Sequence, residues 1–302
     1  AWSPSGARIA IVGLGLIGGS LARDLAALGA HILGFDADAG TLQAALDAGA
    51  VREPLPRRPR AVASPGGKHG TIAPASIDPG LLASARLDAL VLAVPTQAAV
   101  PLLAELAPHL SQVPLVTDAG STKRTIAVAA RRLGLAERFV GAHPLAGSHL
   151  SGWGATREGL FRGAMVYLCP GPEAGYVARH RAHALWTAVG GATEILDAAA
   201  HDRLLAWTSH LPQAASTALA RALGAAGVRA RDLGPGGRDM TRLAASSPSL
   251  WTGIALDNAP ALAVGLAALE KELSRLREAL EREDQTAVHD YFSGGLQDSS
   301  EG

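Results

Sequence analysis

The chain has 302 residues, 48% of them hydrophobic, and its 27 basic and 27 acidic side chains balance. That length allows two domains with their own cores, and the balanced charge gives no general attraction to nucleic acid or to a membrane surface. The single cysteine, Cys169, excludes an intramolecular disulfide framework and a cysteine-rich metal site, and no apolar run is long enough to span a membrane. We therefore expect a cytoplasmic protein with no bound metal, no nucleic-acid partner and no membrane partner.

The segment ARIAIVGLGLIGGSLARDLAALGAHILGFD has the pattern of a βαβ unit. An apolar run at 9–12 precedes a glycine-rich turn, an amphipathic helix follows at about 17–28, and a second apolar run ends at Asp36. Strands that alternate with helices in this way indicate an open parallel sheet.

The glycines of this turn follow the G-x-G-x-x-G pattern, with Gly13, Gly15 and Gly18 between a strand and a helix. The first glycine suits a tight turn, the second lets a pyrophosphate approach the backbone, and the third lets the helix pack closely on the strand. The backbone N–H groups of Leu16 and Ile17 are then expected to face the phosphates at the positive end of the helix. The spacing predicts a dinucleotide site.

An acidic residue at the end of the second strand indicates which dinucleotide binds. Asp36 is placed to accept hydrogen bonds from the adenosine ribose hydroxyls and to repel a 2′-phosphate, and no arginine follows it in DADAG. We therefore predict NAD rather than NADP, with Val94 and Pro95 at the end of a later apolar run also contacting the cofactor.

Further apolar runs occur at 87–95, 114–120, RFVGAHP and AMVYLCP, so that residues 8–169 contain about six predicted strands. The proline-, glycine- and arginine-rich stretch at 52–77 interrupts them and is expected to be a surface loop. Long helical patterns begin after CPGPEAG, and we place the domain boundary near Pro172. The predicted fold is α/β, with a Rossmann-type parallel-sheet domain at 1–172 and an all-helical domain at 173–302.

Two polar segments follow predicted strands at the edge of the sheet where ligands bind. In DAGSTK, Ser121 is suited both to cap the next helix and to place its hydroxyl near a nicotinamide. In VGAHPLAGSHLSG, His143 lies between a strand end and a proline, where an imidazole can exchange a proton near neutral pH. The small residues that follow leave room for a ligand, and we expect Ser148 and His149 to line its pocket.

The helical half contains two further polar clusters. WTSHLPQAAS places Ser209, His210 and Gln213 around Pro212, which is expected to kink the helix and expose polar groups to a cavity. In GPGGRDMTRLAASSPSLW, Asp239 and Arg242 are three residues apart, which fits either a surface ion pair or an arginine that binds a substrate carboxylate.

One long helical pattern, APALAVGLAALEKELSRLREALERE, repeats leucine at alternating spacings of four and three. The leucines are at 262, 266, 269, 273, 276 and 280. Such a seam packs either within its own domain or against a second subunit. We favour a homodimer through the helical domain, because that domain is otherwise too small to cover so long a helix.

Five motifs together resemble one known family. GLGLIGGSLA, DAGSTK, GAHPLAGSHLSG, SHLP and GGRDMTRLAASSPSLW occur in the order and at the spacing found in prephenate and arogenate dehydrogenases of tyrosine biosynthesis, over roughly residues 7–291. The resemblance implies a Rossmann-type domain, a helical dimerisation domain, NAD as cofactor, and NAD-dependent oxidative decarboxylation of prephenate, with arogenate as the alternative substrate. Neither a preceding chorismate mutase segment nor a regulatory domain after Phe292 is expected.

The same resemblance implies roles for individual residues. His143 is the catalytic histidine, and Ser121 hydrogen-bonds near the substrate hydroxyl and the nicotinamide. Arg242 binds a substrate carboxylate, and Ser209 and position 213 line the substrate pocket.

The chain departs from the family pattern at two of these positions. Gln213 stands where the family often has histidine, so it is expected to donate a hydrogen bond to a carboxylate without adding a positive charge. His149 stands where the family often has glutamate, a change that bears either on how Arg242 is held or on how amino and keto side chains are distinguished.

Two other classes of protein share parts of this pattern. A 3-hydroxyacid dehydrogenase with the same two-domain plan requires a lysine on an interdomain helix, but residues 173–260 contain no lysine. A non-catalytic NAD-sensing dimer has no use for a proton-handling group such as His143. The sequence therefore favours the dehydrogenase of the tyrosine pathway.

Overall fold

The computed structural model describes residues 2–56, 77–78, 82, 84–147 and 150–294. Most of the predicted loop at 52–77 lies outside these residues, as do Ser148 and His149. The strands are β1 (Arg8–Val12), β2 (His31–Phe35), β3 (Glu53–Pro54), β4 (Ala89–Leu92), β5 (Val116–Asp118), β6 (Phe139–Pro144), β7 (Met165–Pro170) and β8 (Ala192–Ile195).

Helices flank the sheet and form the carboxyl-terminal part of the described chain. They are α1 (Leu16–Ala27), α2 (Ala39–Asp47), α3 (Thr96–Leu106), α4 (Arg124–Arg132), α5 (Tyr176–Ala188), α6 (Ala198–Leu205), α7 (Leu211–Ala225), α8 (Pro235–Thr241), α9 (Pro248–Asp257), α10 (Ala259–Glu281) and α11 (Gln285–Ser293). A π-helical segment, Ala206–His210, joins α6 to α7. The βαβ unit predicted from the amino-terminal sequence is confirmed as β1, α1 and β2.

The strands form one eight-stranded sheet in the order β3-β2-β1-β4-β5-β6-β7-β8. β2 and β3 lie on one side of β1, whereas β4, β5 and β6 lie on the other side, so the strand order reverses between β1 and β4. The carboxyl ends of β1, β4, β5 and β6 point to the same edge of the sheet. In open α/β sheets, ligands bind in the crevice at such a reversal. The predicted Rossmann-type fold is therefore confirmed.

The last two strands of the sheet, β7 and β8, run opposite to the others and so differ from the predicted parallel sheet. β7 pairs antiparallel with β6, with His143 opposite Tyr167. A parallel pair needs a crossover connection, usually a helix. In the described residues between β6 and β7, the connection contains only a 3-10 turn, Trp153–Ala155, so the chain returns beside β6 in the opposite direction.

The sheet also extends further along the chain than the sequence indicated. After Pro172, α5 crosses the sheet and β8 pairs parallel with β7. β8 escaped detection because it is a short strand at the edge of the sheet and mostly exposed. The change from sheet to helices therefore comes after Ile195 rather than near Pro172.

The core has two layers, one on each face of the sheet. In β1, Ile9 and Ile11 pack into one buried apolar cluster, while Ala10 and Val12 pack into the other. Strands that are buried on both faces read as continuous apolar runs, which explains the sequence pattern. The rigid sheet edge that results positions the loops after β1, β5 and β6.

No single described helix has the length and apolar composition needed to cross a membrane. The adjacent helices α9 and α10 together meet those two criteria but are bent by 98° at their junction.

Candidate active site

The turn after β1 needs glycine at two positions and leaves space at a third. Gly13 has φ +91°, and a Cβ atom there would lie 2.3 Å from the carbonyl oxygen of Ala93. A Cβ on Gly18 would lie 1.9 Å from the carbonyl oxygen of Gly13, whereas one on Gly15 would meet nothing within 4 Å. The turn therefore packs α1 closely against the strands and leaves the backbone open above Gly15, where a pyrophosphate fits.

The other predicted cofactor residues surround this turn. Asp36 follows β2, and its carboxylate accepts hydrogen bonds from the N–H of Leu14 at 2.7 Å and of Asp38 at 2.9 Å. Pro95 occupies the N-cap position of α3, and the side chain of Val94 approaches Gly13. Leu16 and Ile17 form the first turn of α1, where backbone N–H groups have no acceptor within the helix. These positions fit a bound dinucleotide.

A cavity of about 530 Å³ brings together the predicted catalytic and substrate-binding residues that the structure describes. It lies between the sheet edge and the helical half of the chain. Its lining includes Ser121, His143, Ser209, Gln213 and Arg242. Residues more than a hundred positions apart in the sequence thus face one space.

His143 is held by a chain of buried polar groups. Its Nδ1 lies 2.9 Å from Nε2 of His201, and Nδ1 of His201 lies 2.8 Å from the Asp202 carboxylate. A carboxylate only accepts, so His201 donates from Nδ1. With the His201 ring neutral, its Nε2 accepts the Nδ1–H of His143. In the neutral ring, Nε2 of His143 is then the nitrogen free to accept a proton from a ligand.

Burial keeps His143 uncharged before it acts. The side chain is 9% exposed. Burial lowers the pKa of His143 well below its usual value, and the positive charge of Lys123 lowers it further. Lys123 is itself fully buried and forms an ion pair with Asp118. His143 is therefore a neutral base at physiological pH.

Asp202 has a second function, because its carboxylate caps α4. It accepts hydrogen bonds from the N–H groups of Lys123 at 2.8 Å and Arg124 at 2.9 Å. Burial alone would raise the pKa of Asp202, but the bonds from His201 and these N–H groups outweigh it, so that the pKa is lowered and the carboxylate stays ionised. The predicted N-cap role of Ser121 is therefore wrong: α4 begins at Arg124, with no side-chain cap from its N-cap residue, Lys123.

His210 is a second buried histidine that lines the cavity. The amide nitrogen of Asn258 lies 3.1 Å from its Nδ1 and also donates to the carbonyl of Asp202 at 2.7 Å. Because the amide nitrogen donates, Nδ1 of His210 accepts, and the proton of the neutral ring is on Nε2. Burial lowers the pKa of His210 to about 4, so the ring is neutral in the folded protein.

The helix kink predicted at Pro212 takes a different form in the structure. Pro212 lies in the first turn of α7, and the irregular turn is the π-helical segment that precedes it. Such segments widen a helix by one residue per turn and often occur at functional sites. This one carries Ser209 and His210 toward the cavity.

Arg242 begins a 3-10 turn after α8, so it does not share one regular helix with Asp239. Within the described ranges, no ion pair joins these two side chains. Arg242 is an exposed residue that lines the cavity, and no described residue forms an ion pair with it, so its guanidinium is available to an anion there. This arrangement favours the carboxylate-binding alternative over the surface ion pair.

His201, Asp202 and Asn258 were not predicted from the sequence, and Lys123 had no predicted role. His201 and Asp202 are adjacent in AAAHDRLL, a pattern that is also typical of a solvated helix face. Only their contacts with β6 and α4 distinguish them. No local signal identifies them.

Models of one family match the chain in two consecutive segments. Residues 76–195 match "Prephenate dehydrogenase, nucleotide-binding domain", and residues 197–294 match "Prephenate dehydrogenase, dimerization domain". The junction of the two matches follows β8, where the sheet ends.

Curated relatives carry related names. The chain is 29% identical to a prephenate dehydrogenase of Bacillus subtilis, over 94% of this chain and 73% of the relative. It is 32% identical to a cyclohexadienyl dehydrogenase of Zymomonas mobilis, over 68% of this chain and 72% of the relative.

Solved structures agree with these relatives. A prephenate dehydrogenase from A. aeolicus, solved with hydroxyphenyl propionate and NAD+, has a TM-score of 0.78 and 28% identity, and 96% of each chain is covered. An arogenate dehydrogenase from Synechocystis has a TM-score of 0.73 and 30% identity over 95% of this chain and 96% of that one. The chain belongs to the prephenate and arogenate dehydrogenase family.

Proposed function

We propose that this protein catalyses the NAD-dependent oxidative decarboxylation of prephenate to 4-hydroxyphenylpyruvate in tyrosine biosynthesis. The observation that carries the proposal is a single cavity lined by His143, Ser121 and Arg242 at the ligand-binding edge of the sheet. Family membership supports it, as does a similar structure solved with NAD+ and a hydroxyphenyl compound.

NAD is the cofactor, and it supplies a hydride acceptor when bound. The open backbone above Gly15 and the first turn of α1 would hold the pyrophosphate. Asp36 would accept hydrogen bonds from the adenosine ribose, and its negative charge would disfavour the extra phosphate of NADP.

The substrate makes limited demands on the protein. Prephenate is a cyclohexadienol with a hydroxyl and a carboxylate on opposite ring carbons. Removal of a hydride and the hydroxyl proton creates a ketone, and loss of CO₂ then makes the ring aromatic. The protein need only align the ring, supply a base and anchor the carboxylates.

His143 is the base in this scheme. Its Nε2 takes the hydroxyl proton as the hydride leaves the same carbon, and it returns the proton to the oxygen after the ring becomes aromatic. His201 and the Asp202 carboxylate hold the ring in the correct tautomer and stabilise its charged form. A base positioned in this way typically contributes about 10²- to 10⁴-fold in rate.

The remaining residues bind and orient the substrate. Ser121 lines the cavity with His143 and hydrogen-bonds the reacting hydroxyl. Arg242, on the helical side, binds a carboxylate through its guanidinium, and Ser209 contributes a hydroxyl to the same wall.

The protein also forms a homodimer through its helical half in this proposal. The matched dimerisation-domain model covers that part of the chain. Large apolar side chains are exposed on α9 and α10: Leu256, Val264, Leu273 and Leu280. Burial of such side chains against a second subunit favours association.

The proposal is tested by following NADH formation with prephenate, with NAD+ and NADP+ compared, and by identifying 4-hydroxyphenylpyruvate as product. The unaltered chain is expected to be active and to prefer NAD+. His143→Asn should keep NAD+ binding but lower kcat by about 10²- to 10⁴-fold, because Nε2 is lost as a proton acceptor.

A matched control is His183→Asn. His183 is exposed on α5 and bonds Thr193, away from the cavity. Its replacement should leave kcat unchanged. No NADH formation by the unaltered chain, or an unchanged kcat in His143→Asn, would contradict the proposed function or the proposed base respectively.

A further inference from the structure

Gln213 lies on α7, one turn after His210, and its buried side chain lines the cavity. Its amide nitrogen lies 2.8 Å from the carbonyl oxygen of Leu243 and 3.4 Å from Oγ1 of Thr217. These two contacts decide which part of the amide faces a ligand.

The orientation of the amide follows from its partners. The Leu243 carbonyl can only accept, so the NH₂ group must point toward it. The Thr217 hydroxyl donates its hydrogen to the backbone carbonyl of Gln213 at 2.9 Å, so its oxygen accepts the other amide hydrogen. Both donors of Gln213 are therefore used within the protein.

The Oε1 atom of Gln213 has no hydrogen-bond partner in the part of the chain that the structure describes. Gln213 therefore offers the cavity an acceptor. This corrects the sequence-based expectation that Gln213 donates a hydrogen bond to a carboxylate, because the expectation took no account of Leu243 and Thr217.

The neighbourhood of this acceptor suits one chemical group. Leu243, whose carbonyl fixes the amide, directly follows Arg242, which lines the same cavity. A guanidinium and an amide oxygen that line one cavity suit an α-amino acid, whose carboxylate and ammonium are on one carbon. A keto acid would place its ketone oxygen against Oε1, and two acceptors form no hydrogen bond.

The expected orientation of the substrate in the cavity also places its side chain near Gln213. The reacting hydroxyl belongs near His143 and Ser121, at the sheet edge. The substrate side chain is on the opposite ring carbon and therefore extends toward the helical half, where Gln213 and Arg242 lie.

We propose that Oε1 of Gln213 binds the side-chain ammonium of arogenate, so that this site accepts arogenate as well as prephenate and Gln213 raises its preference for arogenate. The inference rests on the proposed function and concerns the same site.

The test is the ratio of kcat/KM for arogenate to kcat/KM for prephenate, measured at saturating NAD+. Gln213→Met keeps the length of the side chain but removes the acceptor, and it should lower this ratio about tenfold or more, as expected for loss of a hydrogen bond to a charged group. Gln43→Met makes the same chemical change at an exposed position on α2 and should leave the ratio unchanged.

Binding of NAD+ shows whether Gln213→Met folds. If the variant does not fold, the test is to compare inhibition of the unaltered chain by L-tyrosine and by 4-hydroxyphenylpyruvate. The two compounds share the phenol ring, but the first carries an ammonium group where the second carries a ketone. L-tyrosine is expected to compete more strongly, and stronger competition by 4-hydroxyphenylpyruvate would overturn the inference.

An unchanged ratio in a folded Gln213→Met, or an unaltered chain active on prephenate but not on arogenate, would overturn the inference alone. Absence of activity on both substrates would contradict the proposed function as well.

Discussion

Single residues in this protein owe their chemistry to burial and to their hydrogen-bond partners. His143 and His210 are both buried histidines with lowered pKa values, yet their rings are held in different tautomers. His143 keeps Nε2 free to accept a proton because His201 takes its Nδ1–H, whereas His210 carries its proton on Nε2 because Asn258 donates to Nδ1. One is therefore suited to act as a base and the other as a donor.

The lowered pKa of His210 makes the stability of the fold depend on pH. The ring has a pKa of about 4 when folded and an ordinary value of 6.5 when unfolded. The unfolded chain therefore binds more protons between these values, and the free energy of unfolding falls as the pH drops from 6.5 to 4. The loss attributable to His210 is about 3 kcal/mol over this interval.

Urea unfolding at several pH values checks this expectation. His210→Asn retains an acceptor for Asn258 but does not titrate, so its unfolding free energy should decrease less between pH 6.5 and pH 4 than that of the unaltered chain. Equal decreases in both proteins would show that His210 is not the group responsible.

At the scale of elements, helix α6 connects the capping of α4 to the orientation of the catalytic ring. Asp197 caps the start of α6 by accepting from the N–H groups of Ala199 and Ala200. Asp202, in the same helix, caps α4 and holds His201. Asp197 thus stabilises its own helix, whereas Asp202 acts on α4 and on His201.

These carboxylates form a matched pair of test sites. Asp197→Ala should lower the unfolding free energy by about 1 kcal/mol, the usual contribution of a helix cap, without changing kcat. Asp202→Ala should destabilise the protein more and should also lower kcat with little change in KM, because His201 no longer holds the tautomer of His143. Stability and steady-state kinetics are measured on both variants.

An unchanged kcat in Asp202→Ala would remove Asp202 and His201 from the positioning of His143. Loss of kcat in Asp197→Ala would show that any disturbance of α6 has this effect, so that the specific contact is not the cause.

At the scale of the whole molecule, several large apolar side chains of the helical half are exposed in the single chain. On α10, Leu262 is buried within the chain, but Leu273 and Leu280 of the same seam are 55% and 56% exposed. The first leucine of the seam therefore packs inside the chain, whereas these two later leucines are mostly exposed. A second subunit that packs against α10 would bury these later leucines.

Replacement of Leu273 by aspartate places a charge on this seam and should convert the proposed dimer to monomers, because an unpaired charge is costly to bury. Sedimentation velocity measures the change. Leu28→Asp introduces the same charge at an exposed position at the end of α1, away from the seam, and should leave the dimer intact. A monomeric unaltered chain, or a dimeric Leu273→Asp variant, would contradict this interface.

The sequence by itself determined the features that depend on residues close together along the chain. The apolar runs, the glycine turn and the acid after the second strand suffice for a βαβ unit with a nucleotide site, because strand and helix periods and the φ angle of Gly13 are local properties. The order of five motifs sufficed to identify the family and to name His143, Ser121 and Arg242 as candidates for one site.

Tertiary structure alone decided what depends on contacts between distant parts of the chain. The antiparallel direction of β7, the capping of α4 by Asp202 and the amide orientation of Gln213 are examples. A sequence shows which hydrogen-bonding groups a side chain possesses, but which of them remain available to a ligand depends on partners far along the chain. For Gln213, those partners use the two donors and leave the acceptor.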